Sequence, residues 1–72
     1  MFCTKIITER NGDITAMFTD GTVTAAVSRG LIVVCNGAKE KMIESAIARS
    51  IAETVTIGDT NDYIGSLARA VA

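Results

Sequence analysis

The chain of 72 residues has no histidine, no proline and no tryptophan, only two cysteines, and only three aromatic side chains, Phe2, Phe18 and Tyr63. Without histidine there is no imidazole general base, no Ser-His or Cys-His dyad and no HExxH zinc helix. A structural zinc would have to draw its four ligands from two thiols and carboxylates, or from a second subunit, so neither a metal nor a cofactor is expected. Seven basic residues against eight acidic ones leave a net charge of −1. That gives no cationic excess for phosphates, and three aromatics make no base-stacking platform, so nucleic-acid binding is not expected. No apolar run approaches about 18 residues, and no basic segment leads into one near the N-terminus. Neither a membrane association nor export is expected, and the chain is assigned to the cytoplasm. With 49% apolar residues and no proline, disorder is disfavoured.

What the chain does have is a rhythm. Gly12, Gly21 and Gly30 stand nine residues apart, preceded by Asn11, Asp20 and Arg29, and they separate stretches rich in Val, Ile, Thr, Ala and Phe. Asn-Gly and Asp-Gly are the favoured central pairs of type I′ hairpin turns. The pattern predicts four antiparallel strands at about 2–10, 13–19, 22–28 and 31–35. After Cys35 the period changes: Met42, Ile43, Ala46, Ile47, Ile51 and Val55 recur at steps of three and four, which predicts a helix over about 38–54, capped by Asn36 or Gly37. A second helix is predicted over about 60–71, starting at Asp59 or Thr60, with Asp62 in its first turn and Ile64, Leu67, Ala68 and Val71 along one face. The expected fold is α+β, a four-stranded antiparallel β-meander followed by two α-helices packed on one face of the sheet, with 1–72 as a single domain. In strand order 1-2-3-4, Cys3 and Cys35 fall on opposite edges about 14 Å apart, beyond the roughly 7 Å between Cα atoms that a disulfide spans.

Two-residue turns would set Phe18 opposite Val23, Ala16 opposite Ala25, Val27 opposite Ile32, and Ile7 beside Ala16. One face then collects Ile7, Ile14, Ala16, Phe18, Val23, Ala25, Val27, Ile32 and Val34, and this is the face expected under the helices. The opposite face carries threonines, but among them lie Phe2, Ile6, Met17, Ala26, Leu31, Val33 and Cys35. A patch of that size is more apolar than a monomer ordinarily leaves in water. These seven residues are therefore the expected interface with a second copy or with another protein. Chains this short bury only about 60% of their unfolded surface, and oligomerisation is one of the usual supports. Ser45, Ala48 and Ala52 on the back of the first helix would let another helix approach closely, or are simply good helix formers in solvent.

No catalytic set emerges, and no enzymatic activity is expected. Glu40 and Glu44, one turn apart on the predicted helix, are accounted for by a solvated edge. Cys35 sits near a helix start but has no partner base. The passage Leu31 to Lys41 runs from a strand through a glycine turn into a helix start, where Asn36, Gly37, Lys39 and Lys41 could hold an anion. A capping turn with solvated lysines explains the same residues, and the spacing matches neither the P-loop nor GxGxxG. The functional expectation is a small non-enzymatic, self-associating binding protein of the accessory or inhibitor kind, phage or mobile-element type, that occupies a partner protein's surface. The alternative is an oligomeric binder holding a nucleotide or other small anion between subunits.

Overall fold

The computed structural model describes residues 1–71; Ala72, the last residue of the expected domain, lies outside the described residues. The strands are β1 (Phe2–Thr8), β2 (Ile14–Thr19), β3 (Thr24–Ser28), β4 (Leu31–Asn36) and β5 (Lys39–Glu44), followed by α1 (Ala48–Thr54) and α2 (Asp62–Arg69). They pair antiparallel in chain order into one sheet. The class is α+β, as the pattern predicts, but the sheet has five strands where four were expected.

The fifth strand takes the first half of the expected helix. Asn36 pairs with Lys39 across a turn of Gly37 and Ala38, and the ladder continues through Val33 opposite Met42 to Leu31 opposite Glu44. Gly37 has φ of 62°, in the first turn position that glycine fills in type II′ hairpins. Lys39, Glu40, Lys41 and Met42 are strong helix formers by propensity. Pairing along β4 supplies backbone hydrogen bonds on one side of the strand and sets Ile43 beside Ile32, so tertiary context overrides propensity.

The turns differ from those expected, with consequences for register. Among the described residues no non-glycine residue has positive φ, whereas a type I′ turn needs it at both central positions. Between β1 and β2, the Gly12 N–H donates to the Glu9 carbonyl and the Glu9 N–H to the Asp13 carbonyl, while the Asn11 side-chain oxygen accepts from the Asp13 N–H. The connection is therefore three residues long, with Gly12 at φ of 89° closing it. An odd loop moves β1 by one step: Ile6, not Ile7, lies opposite Ala16, and Ile7 lies opposite Thr15. Ile6 thereby passes from the outer face, where it was expected, to the core, and Ile7 takes its place outside. An irregularity at Thr4 shifts the register again, so that Cys3 pairs with Phe18 and is also buried.

Between β2 and β3 the Asp20 carboxylate accepts the N–H groups of Thr22 and Val23, at 2.9 and 2.8 Å. This widens the loop to residues 20–23, so Phe18 pairs with Ala25 rather than Val23, and Ala16 with Val27 rather than Ala25. A shift of two leaves both faces unchanged. The β3–β4 register, Val27 with Ile32 and Ala25 with Val34, is the one a two-residue Arg29-Gly30 turn predicts.

The helices cover one face. Ala48, Ala52, Ile64 and Ala68 join Cys3, Ala16, Phe18, Val23, Ala25, Val27, Ile32 and Val34 in the core, with Ile6, Ile14, Ile43, Ile51, Val55 and Leu67 packed at its margin. Ala48 and Ala52 therefore face the sheet, not outward as the longer helix predicted, and their small size lets α1 lie close to β2, β3 and β4. Ala46 and Ile47 are exposed, since the turn between β5 and α1 resets the helical phase. The α2 N-cap is Asn61, whose side-chain oxygen accepts the Ile64 N–H, one residue beyond the predicted start.

Candidate functional site

The outer sheet face is built by the register in three rows that run across the strands. In the middle row Lys5 stands beside Met17, Met17 beside Ala26, Ala26 beside Val33, and Val33 beside Met42. On one side lie Phe2, Thr19, Thr24, Cys35 and Glu40. On the other lie Ile7, Thr15, Ser28, Leu31 and Glu44. None of these side chains is buried, because both helices lie on the opposite face. Met42 is 61% exposed and Phe2 45%.

Of the residues expected here, Phe2, Met17, Ala26, Leu31, Val33 and Cys35 share this face, and Ile6 does not. Sequence reasoning missed Ile7, for want of the three-residue loop, and Met42, for want of β5. The signal for β5 was Asn36-Gly37, the same dipeptide that marks the first hairpin; the good helix formers after it obscured it.

The sheet's two edges are protected by different means. The N-terminal part of β1 is covered by the segment before α2: the Cys3 N–H donates to the Asp59 carbonyl, the Gly58 N–H to the Cys3 carbonyl, and the Asn61 N–H to the Met1 carbonyl, at 2.8 to 3.0 Å. That segment is held by Asp59, whose carboxylate accepts both the N–H and the hydroxyl of Thr56, each at 2.9 Å. These bonds, the backbone N–H first, keep the Asp59 carboxyl below its ordinary range, as the Val23 and Thr22 N–H groups do for Asp20. At the other edge β5 reads Lys-Glu-Lys-Met-Ile-Glu, and its charges discourage strand addition.

The other expected sites change shape. Asn36, Gly37, Lys39 and Lys41 belong to the β4–β5 hairpin, so the helix N-terminus that would have attracted an anion is absent from that position. Glu40 and Glu44 lie four residues apart on a strand, about 13 Å at 3.3 Å per residue, instead of one helical turn apart. The Cys35 thiol donates weakly to the Glu40 carboxylate at 3.7 Å. Both thiols are free, with Cys35 now on a strand inside the sheet edge. Arg49 and Glu53 form an exposed ion pair at 2.8 Å, and this raises the guanidinium pKa. A cleft of about 300 Å³ is lined by Ile51, Thr54, Val55, Asp59, Thr60 and Asn61, where Asp59 Oδ2 already accepts from Thr56 and Asn61 Oδ1 from the Ile64 N–H. Among the described residues no helix is long and apolar enough to cross a membrane. Comparison with protein families, with curated proteins and with solved structures gave no match to this chain.

Proposed function

We propose that the chain is a small non-enzymatic binding protein that self-associates through the outer face of its sheet and acts by contact with another protein, as an accessory or inhibitor protein does. The reading is supported by the contrast between the two sheet faces. The inner face is filled by the chain's own helices down to complete burial of Ala16, Ala25, Val27, Ile32 and Val34. The outer one carries Met17, Ala26, Val33 and Met42 in a continuous row that no helix covers among the described residues. An antiparallel sheet that met only water on this side would alternate to polar residues there. Once the outer face is covered, Ile47, Ile57 and Tyr63, which are 48%, 68% and 42% exposed, remain in and around the helices as apolar contacts for a different protein.

The test is the concentration dependence of the molecular mass. Sedimentation velocity should show a species of at least twice the chain mass that grows with concentration. A chain that stays monomeric at tens of micromolar would refute self-association.

A further inference from the structure

We infer that the occupant of the outer face is a second copy of this chain, docked as a two-fold sandwich in which β1 of each copy lies over β5 of the other. This rests on the self-association proposed above and adds its geometry. Within the five strands, the charged residues placed on the outer face are Lys5 on β1 and Glu40 and Glu44 on β5. The face is thus positive along one side, negative along the other, and apolar between.

Two copies of one face can meet about a two-fold axis in two simple ways. An axis running across the strands sets β1 over β1 and β5 over β5, which opposes lysine to lysine and glutamates to glutamates. An axis running along the strands reverses the strand order. Lys5 then lies over Met42 of the copy, in the row between that copy's Glu40 and Glu44, and the same contact repeats at the opposite side. Only the second arrangement pairs opposite charges at both rims while stacking the Met17, Ala26 and Val33 rows at the centre. Aligned sheets pack about 10 Å apart and cross at about 30°, a spacing that a lysine stem bridges.

The area is sufficient for one such contact. Five strands at about 4.8 Å and about six residues at 3.3 Å make a face of roughly 24 by 20 Å. Two of them bury close to about 1,000 Å², the lower bound for a specific interface. An interface of that size is reversible, and the charged rims supply its orientation more than its strength.

Charge reversal separates this arrangement from the others. Lys5→Glu alone, and Glu40→Lys with Glu44→Lys, should each weaken the dimer about tenfold or more, because both rims change from attraction to repulsion. The triple variant, with Lys5→Glu, Glu40→Lys and Glu44→Lys together, should return to within about threefold of the wild type. All three positions are exposed, and a cooperative thermal melt with an unchanged far-ultraviolet circular dichroism spectrum would establish that each variant folds. A wild-type dimer that tolerates both reversals, or a triple variant no better than the single and the double variant, would overturn the docking geometry while leaving self-association intact. A monomeric wild type would overturn both.

Discussion

Ile6 lies directly opposite Ala16 in the β1–β2 pair, and its neighbour Ile7 lies opposite Thr15. That single step decides which isoleucine packs with the core and which joins the outer face. Truncation should reveal the difference. Ile6→Ala should cost about 2 kcal/mol and Ile7→Ala under about 1 kcal/mol, measured by urea unfolding at a concentration low enough to keep the chain monomeric. Equal costs, or the reverse order, would contradict the register.

Phe18 is the largest fully buried side chain and pairs with both Cys3 and Ala25. Phe18→Ala should remove about 3 to 5 kcal/mol, comparable with the whole stability of a domain this small. Circular dichroism should show an unfolded spectrum at 25 °C, and a thermal scan no cooperative transition. Retention of a transition near that of the wild type would contradict the assigned core.

The turns come from side chains that a dipeptide rule does not describe. Asn11 bonding to the Asp13 N–H and Asp20 bonding to the N–H groups of Thr22 and Val23 lengthen two of the loops. One gains an odd residue and flips β1, while the other gains two and preserves the faces. Most of the outer face was therefore legible from alternation alone, because Met17, Ala26, Leu31, Val33 and Cys35 lie on strands whose parity survives. Ile6 and Ile7 were not, since the three-residue loop is closed by a side-chain contact. The helix over 38–54 was misread for another reason. Residues 39–44 carry helical propensity but sit beside a strand in need of a partner, and only the preceding Asn36-Gly37 pair marks the hairpin.

Asp59 and Asp20 have folded-state pKa values held below 3.8 by the hydrogen bonds they accept. The unfolded chain then binds more protons than the folded one as pH falls through the carboxylate range. Their contribution is complete above the unfolded value and is lost as pH drops through the lower folded values. Asp59→Asn should therefore lose less stability between about pH 4 and pH 2 than the wild type does, as followed by urea midpoints. A loss as steep as the wild type's would show that Asp59 does not hold the segment over β1.

Cys3 is 1% exposed in the core, whereas Cys35 is accessible on the outer face. A thiol reagent should modify Cys35 alone in the native protein, with Cys3 reacting only on unfolding. Modification of Cys35 should also slow as concentration rises, since the second copy covers the face on which it lies. Rapid native labelling of Cys3, or a Cys35 rate indifferent to concentration, would contradict these placements.

The central claim is that the outer face is where copies of this chain meet, and the direct measurement is sedimentation equilibrium of the wild type beside Val33→Glu, a substitution at the centre of the apolar row. The wild type should fit a self-associating species at tens of micromolar, and Val33→Glu a folded monomer with an unchanged far-ultraviolet circular dichroism spectrum. A wild type that remains monomeric, or a folded Val33→Glu variant that associates as strongly as the wild type, would contradict it.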